Sequence, residues 1–239
     1  MGVLSGSHTV KQFDQDLASL RNHVLAMGGL VEDQIKCAVD ALAKDDSALA
    51  QRVIARDREI DRMQLKADEE AAQLLALRTP LGSDLRMVLT LIRTTTDLER
   101  VGDEAKKIAR MSRDMIIAGE GGITDRLLRD VDVMSRHAIS LLHGALDALV
   151  RMDVERAGQV KEADDQLDDE FDTALVHLTE EMVRDRAVIA PAVNVIFIIK
   201  ALERIGDHSK NIAEYVFYLV EGRDIRHPKA VAEQQGTEG

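Results

Sequence analysis

An internal repeat constrains the fold of this 239-residue chain more strongly than any other feature of its sequence. The segment 21–61 aligns without a gap on the segment 128–168, so that Met27 matches Met134 and Val53 matches Val160. Farther along, after a short deletion in the second copy, DLERVGDEAKKIA at 97–109 matches ALERIGDHSKNIA at 201–213. A chain with such a repeat is expected to fold as two similar units that stack or join as a pseudo-symmetric pair.

Each copy predicts three long helices, because apolar residues recur at spacings of three and four and helix breakers come only about every thirty residues. The candidate N-caps are Ser47, Ser83 and Asp153, and Gly222 is a candidate stop. The predicted helices span residues 9–44, 47–78, 83–117, 124–151, 153–185 and 188–221. We therefore predict an all-α fold of two tandem, pseudo-symmetric three-helix bundles over residues 1–119 and 122–222, followed by a mobile C-terminal tail over residues 223–239.

Composition excludes several other classes of protein. The chain has no Trp and only 3% aromatic residues, which disfavours an all-β fold. Its formal net charge of −12 excludes a globally basic nucleic-acid binder. A single cysteine, Cys37, excludes an internal disulfide, and the sequence shows neither the pattern of a signal peptide nor an uncharged apolar stretch of about 18 residues. We expect a soluble, cytoplasmic protein that does not bind nucleic acid.

Acidic side chains recur four residues apart in both copies, which places the two carboxylates of a pair on one face of a helix, about 6 Å apart. In the first copy the pairs are Asp57 with Asp61 and Glu99 with Asp103. Residues of an antiparallel hairpin that are equally far from the turn lie level with each other. Asp61 and Glu99 are equally far in sequence from Pro80, inside the turn signal TPLG, and so are Asp57 and Asp103. The first hairpin should therefore bring four carboxylates to one level.

The second copy repeats this arrangement around a predicted turn at residues 185–186. Asp168 and Glu203 are equally far in sequence from that turn, and so are Asp164 and Asp207. We define the first quartet as Asp57, Asp61, Glu99 and Asp103, and the second quartet as Asp164, Asp168, Glu203 and Asp207. These acids lie on or beside the apolar stripes, so they face partly inward, and their mutual repulsion requires a counter-charge.

Two kinds of counter-charge are open at this stage. The first is a salt-bridge network with the nearby arginines, which are Arg56, Arg58, Arg62, Arg93, Arg100 and Arg204. The second is a bound hard cation, because clusters of carboxylate oxygens suit Mg, Mn, Ca or oxidised iron. Fewer arginines lie near the second quartet, which favours the metal. We predict that all eight acids are metal ligands.

Three neighbouring residues allow two interpretations each. Gly102 and Gly206 lie in mid-helix beside the second acid of a pair, either to permit close helix packing or to leave room for an ion or a water. His208 follows Asp207 and is either a further ligand or a capped or solvent-facing side chain.

The sequence contains no sign of catalytic machinery. Di-iron enzymes built on four-helix bundles use Glu-x-x-His pairs, and no histidine of this chain has a glutamate three positions before it. A phosphate-binding glycine-rich loop, a serine elbow and a Cys–His pairing are also absent from the sequence. We predict that the protein is not an enzyme.

The repeated motif resembles that of the PhoU family of bacterial phosphate-signalling regulators. The residues that carry the resemblance are RTTTDLERVGDEAKKIA at 93–109, KALERIGDHSKNIAEYV at 200–216 and ALRTPLGSDLRMVLTLIR at 76–93. The resemblance implies a cytosolic, commonly dimeric protein of two three-helix bundles. It further implies a negative regulator of the phosphate-starvation (Pho) response and of phosphate uptake, which links the ATPase of a Pst-type phosphate transporter to a PhoR-type sensor histidine kinase. Contact with the membrane would come only through these partners.

The resemblance also implies metal clusters on motifs of the form E/D-x-x-x-D, with Fe, Mn, Mg or Zn as the ion. In this chain these motifs are Glu99 with Asp103 and Glu203 with Asp207, and their partners are Asp57, Asp61, Asp164 and Asp168. The second copy has Ala201 where the first has Asp97, so the two sites need not be equally occupied. Two other functions stay open, a metal-dependent phosphoester hydrolase and a metal-free helical scaffold.

Overall fold

The computed structural model describes residues 5–119 and 124–226, with side chains from residue 11 onward. Over these ranges the chain forms six α-helices and one short 3₁₀ turn, Arg186–Val188. The helices are α1 Ser5–Ala43, α2 Ser47–Arg78, α3 Ser83–Ala118, α4 Asp125–Arg151, α5 Val154–Arg184 and α6 Ile189–Glu221. The predicted all-α class is confirmed. Within the described ranges, no helix has the length and apolar character needed to cross a bilayer.

Two of the predicted helix ends are confirmed. Asp153 caps α5, because its side chain accepts a hydrogen bond from the backbone N–H of Arg156 at 2.9 Å. Gly222 ends α6 in the left-handed conformation, with a φ of 74°. These two ends follow from local chemistry that the sequence shows directly.

The predicted N-caps Ser47 and Ser83 are wrong. The carboxylate of Asp46, one residue earlier, accepts a hydrogen bond from the backbone N–H of Leu49 at 2.8 Å, so Ser47 becomes the first helical residue of α2. Gly82 precedes α3 without any side-chain cap. Its φ of 59° is a conformation that glycine adopts without strain, so the geometry of the turn decides this helix start.

The sequence repeat is also a repeat in three dimensions. α1, α2 and α3 pack on one another as one bundle, and α4, α5 and α6 pack as a second bundle. Met27 and Met134 are both buried, and so are the aligned residues Val53 and Val160. Apolar side chains at matching positions therefore form the core of each bundle.

The two bundles join mainly through α3 and α6, which form the most extensive contact between any two of the described helices. Arg86, near the start of α3, donates a hydrogen bond to the carbonyl of Leu219, near the end of α6, so the two helices run antiparallel. α1 also packs on α4, where a Cβ at Gly28 would lie only 2.5 Å from Leu146 Cδ1. The helices α2, α3, α6 and α5 thus form one layer, with α1 and α4 behind it.

A contact between a histidine and an acid occurs in both copies, but the two residue types have exchanged helices. His23 of α1 lies 3.3 Å from the carboxylate of Glu70 on α2. The equivalent residues in the second copy are Asp130 on α4 and His177 on α5, which lie 2.7 Å apart. The repeat therefore keeps the pairing of a histidine with an acid here and not the side on which each residue lies.

A buried amide on α1 has no hydrogen-bond partner in the part of the chain that the structure describes, which allows a prediction about stability. Gln34 is 1% exposed, and among residues 11–119 and 124–226 neither its Nε2 nor its Oε1 has a hydrogen-bond partner. The equivalent residue of the second copy is Leu141, which is buried. We expect Gln34→Leu to raise the free energy of unfolding by about 2 kcal/mol, because an unsatisfied buried polar group is replaced by an apolar side chain of similar size.

Urea denaturation of purified protein measures this change. The matched control is Gln73→Leu on α2, where the glutamine is exposed and the change should stay within about 0.5 kcal/mol. A loss of stability in Gln34→Leu would show that the amide is satisfied in solution and would contradict the prediction.

Candidate functional site

The first hairpin brings the first quartet together across α2 and α3. Asp57 is 3% exposed, Glu99 and Asp103 are half-buried, and Asp61 is exposed. Burial raises the pKa of Glu99, and the charges of Asp103, Asp61 and Asp57 raise it further, with Arg100 acting in the opposite direction. All four carboxylates are therefore close enough to interact, as their equal sequence distances from the turn predict.

The second hairpin brings the second quartet together in the same way across α5 and α6. Asp164 is 1% exposed, Glu203 is half-buried, and Asp168 and Asp207 are exposed at the rim. Loss of hydration raises the pKa of Asp207, and the charges of Glu203, Asp164 and Asp168 raise it further. In each quartet the innermost acid is the first aspartate of the pair on the middle helix of the bundle.

A lysine neutralises the innermost acid of each quartet. The ammonium of Lys106 donates to Asp57 Oδ2 at 2.5 Å and to Asp103 Oδ1 at 3.5 Å. The ammonium of Lys210 donates to Asp164 Oδ2 at 2.7 Å. Lys106 and Lys210 occupy equivalent positions of the repeat, three residues after the last acid of each motif. The hydrogen bond to Asp57 and the neighbouring acids raise the pKa of Lys106, so it stays charged.

The counter-charge differs from the arginine network that the sequence left open. Among the arginines of that network, only Arg100 pairs with a quartet, at 3.5 Å from Glu99 and 3.9 Å from Asp103. Arg204 instead pairs with Glu104 at 2.6 Å, across the joint between α6 and α3. The spacing of three residues between an acid and a lysine is the signal in the sequence that could have revealed the two lysines.

The donor set of each quartet suits a hard cation, but the side chains are not arranged around one. Across residues 11–119 and 124–226, no group of three or more His, Cys, Asp or Glu side chains has the geometry to hold a metal ion. The place beside Asp57 or Asp164 is taken by an ammonium. As arranged, the quartets therefore do not fit a metal, and metal binding by the eight acids stays a prediction.

Close packing accounts for the two mid-helix glycines of the motifs. A Cβ at Gly102 would lie 2.8 Å from Ile60 Cδ1. A Cβ at Gly206 would lie 2.5 Å from Leu167 Cδ2 and 2.9 Å from Asp164 Oδ1. Both glycines thus let the third helix of a bundle approach the second, and Gly206 also makes room for the buried carboxylate of its quartet.

Asp97 forms a polar cluster at the joint between the bundles and not at a quartet. His208 Nδ1 lies 2.8 Å from Asp97 Oδ1, and Asn211 donates to the same oxygen at 3.3 Å. The hydroxyl of Tyr215 donates to Asp97 Oδ2 at 2.6 Å. Burial, and then the hydrogen bond to Asp97, raise the pKa of Tyr215. His208 is therefore held by Asp97, and the exchange of Asp97 for Ala201 in the second copy does not alter either quartet.

The first residues of the predicted tail pack on this joint. Asp224 accepts a hydrogen bond from Arg226 Nε at 2.8 Å, and Arg93 of α3 lies 3.9 Å from its other oxygen. The hydrogen bond from Arg226 lowers the pKa of Asp224 to about 2. The guanidinium of Arg226 also lies over the ring of Tyr215. Residues 227–239, and the predicted boundary between the bundles at residues 120–121, lie outside the described residues.

Comparison with known protein families shows to which family the chain belongs. A family model described as the PhoU domain matches residues 24–112 and 131–216, one match in each bundle. The chain belongs to the PhoU family. A phosphate-specific transport system accessory protein PhoU homolog from Pseudomonas putida is 42% identical over 233 residues, which cover 96% of this chain and 90% of that protein. The phosphate-specific transport system accessory protein PhoU of Escherichia coli (strain K12) is 37% identical over 220 residues, covering 92% of this chain and 90% of that protein.

Solved structures of the PhoU family share the fold. The crystal structure of PhoU from Pseudomonas aeruginosa superposes with a TM-score of 0.83 at 41% identity, covering 88% of this chain and 100% of that chain. The phosphate transport system regulatory protein PhoU from Streptococcus pneumoniae superposes with a TM-score of 0.82 at 29% identity, covering 89% of this chain and 99% of that chain. Both matches span the two bundles and confirm the paired architecture.

Proposed function

We propose that the protein is a cytoplasmic negative regulator of the phosphate-starvation response and of phosphate uptake. It acts as an adaptor between a Pst-type phosphate transporter and a PhoR-type sensor histidine kinase and holds the kinase in its inhibitory state when phosphate is plentiful. The observation that carries this proposal is the match of both bundles to the PhoU family, whose relatives are named as accessory proteins of phosphate-specific transport. Long helices joined by short turns present the extended faces that an adaptor needs.

Deletion and capture test the regulatory role together. A strain that lacks the gene is expected to express its phosphate-starvation genes in phosphate-rich medium, and a plasmid copy of the gene should restore repression. Affinity capture of the tagged protein from phosphate-replete cells is expected to recover the transporter ATPase and the sensor kinase, whereas an unrelated tagged helical protein should recover neither. Normal repression in the deletion strain, with neither partner captured, would contradict the proposal.

The proposal also states that the protein is not an enzyme and forms a homodimer. Light scattering on the purified protein is expected to give twice the chain mass of 26.4 kDa. Assays with phosphoester substrates are expected to show no turnover. Phosphatase activity that a divalent metal restores and that Asp103→Ala abolishes would favour the metal-dependent hydrolase instead.

We further propose that a divalent or trivalent cation binds at the quartets. Support comes from the raised pKa of Glu99 and of Asp207, which burial and then the charges of the neighbouring acids produce, and from the all-oxygen chemistry of the quartets. When bound, such an ion would neutralise the carboxylates and connect the second and third helices of each bundle. If instead chelation leaves the melting temperature and the oligomeric state unchanged, the metal-free scaffold is the better description.

A further inference from the structure

The middle helices of the two bundles differ sharply in charge. Residues 162–172 of α5 contain seven carboxylates and neither lysine nor arginine, whereas the aligned residues 55–65 of α2 contain three carboxylates and three arginines. Two of the seven acids, Asp164 and Glu170, lie beside Lys210 and His137. The other five are exposed and form no ion pair within the described part of the chain; they are Glu162, Asp165, Asp168, Asp169 and Asp172. The second bundle therefore carries a surplus of negative charge that the first bundle lacks.

An exposed apolar patch lies near the turn between α5 and α6. Residues 189–199 of α6 contain no charged side chain, yet Ile189, Val193 and Phe197, spaced four apart, are 44%, 44% and 47% exposed. Val176 and Val183 of α5 are 57% and 82% exposed. We call these five residues the apolar patch. A helix that is apolar on all sides is typical of one that is buried on all sides, so the patch is a surface suited to contact with another molecule.

The first bundle has no equivalent patch among its described residues. The first two patch residues of α6 are aligned with Leu85 and Leu89, which are half-buried. The third is aligned with Arg93, whose guanidinium lies 5.0 Å from the ring centre of Tyr218. The two valines of α5 are aligned with a glutamate and an alanine. The apolar patch and the negative surplus thus occur together in the second bundle.

The hairpin fixes how the patch and the acids lie relative to each other. Asp172 of α5 and Ile199 of α6 are equally far in sequence from the turn, so they lie level. Asp165, Asp168 and Asp172 follow one another at spacings of three and four, so they share one face of α5. All five patch residues lie between this level and the turn. A segment that lies along α5 and α6 therefore meets apolar side chains near the turn and carboxylates about 15 Å farther on.

Charge selects the occupant of this face. Basic side chains complement the acids of α5, whereas the same face of a second copy would set carboxylates against carboxylates. The basic run of a second copy at residues 106–113 is already neutralised in large part, because Lys106, Lys107 and Arg113 pair with acids of their own chain. An anionic membrane surface would be repelled as well.

We infer that the face formed by α5 and α6 binds an amphipathic helix of a partner protein. Apolar side chains of that helix cover the apolar patch, and its lysines or arginines pair with Asp165, Asp168 and Asp172. This inference rests on the adaptor role proposed above and adds the face and the chemistry of the partner segment.

Fluorescence anisotropy with a labelled synthetic peptide tests the inference. The probe is a helix-forming peptide of about 20 residues, with leucines at spacings of three and four in one half and lysines on the same helical face in the other half. The patch variant, Val193→Ser with Phe197→Ser, is expected to bind the probe at least about tenfold more weakly than the wild-type chain. The acid variant, Asp165→Asn with Asp172→Asn, is expected to show a similar loss, and it changes only exposed side chains, so it keeps the fold.

Matched controls change exposed residues of the same kinds on α2. Leu65→Ser with Leu77→Ser, and Asp68→Asn with Glu69→Gln, should bind the probe within about twofold of wild type. A peptide with glutamates in place of the lysines should not bind. Equal binding of the lysine peptide by all five proteins, or no binding by the wild-type chain, would overturn the inference.

Capture from phosphate-replete cells separates this inference from the proposed function. Where the wild-type chain recovers the transporter ATPase or the sensor kinase, the patch variant and the acid variant are expected to recover several-fold less of it. Equal recovery by the wild-type chain and both variants would overturn the inference and leave the proposed function standing. A wild-type chain that recovers neither partner would contradict the adaptor role, and binding of the peptide would then decide the inference alone.

Discussion

Replacing Asp97 by alanine is expected to lower the free energy of unfolding by about 3 kcal/mol. Asp97 is 6% exposed, and three side chains of α6 depend on its carboxylate. Its removal leaves the hydroxyl of Tyr215 buried without an acceptor and takes away the partner of His208. Because these contacts cross between the bundles, the loss should weaken the joint as a whole.

Thermal and urea denaturation measure this effect, and two further variants locate its origin. Tyr215→Phe removes one hydroxyl and should cost about 1 kcal/mol, as expected for a single hydrogen bond. Asp68→Ala, at an exposed position of α2, should change stability by less than about 0.5 kcal/mol. If Asp97→Ala were as stable as Asp68→Ala, the polar cluster would have no structural role and the description of the joint would be wrong.

Gly206→Val is expected to lower the free energy of unfolding by about 3 kcal/mol or more, because it overpacks the contact between α6 and α5. The first added carbon alone would lie 2.5 Å from Leu167 and 2.9 Å from the carboxylate of Asp164. Leu167 is fully buried and Asp164 is tied to Lys210, so neither neighbour can move aside at little cost.

The same substitution at Gly29 is the control. Gly29 lies in the middle of α1, and a Cβ there would meet no atom of the described residues within 4 Å. Gly29→Val should therefore gain a few tenths of a kcal/mol from helix propensity and lose nothing from packing. Equal denaturation midpoints for the two valine variants would contradict the close approach of α6 to α5.

The sequence carries most of the information about the fold. The repeat, the spacing of apolar residues and the turn signals predict six helices in two bundles, with helix ends that are wrong by only a few residues. The predicted start of α2 is wrong because two adjacent residues, Asp46 and Ser47, can both act as caps, and only the folded geometry decides between them. The spacing of apolar residues in the sequence does not determine which of the two residues caps the helix.

The candidate site is predictable only as far as it lies within one hairpin. Equal sequence distance from the turn predicts that Asp57 lies beside Asp103 and that Asp164 lies beside Asp207. The structure brings these groups together. The two lysines are harder to predict, because rigid, bidentate arginine is the more obvious partner of a carboxylate. The cluster around Asp97 could not be found in this way, since it depends on how α3 packs against α6, and no turn of the chain sets that register.

The antiparallel contact of α3 with α6 also restricts which helix can pair with which. Where α6 has His208, the repeat has Glu104 on α3, so two first bundles that met through α3 would bury Asp97 opposite another carboxylate. Two second bundles that met through α6 would set Tyr215 against Ala201, with no acceptor for its hydroxyl. Only unlike halves satisfy the polar groups around Asp97, so the divergence of the duplicated halves disfavours the association of two like bundles through α3 or through α6.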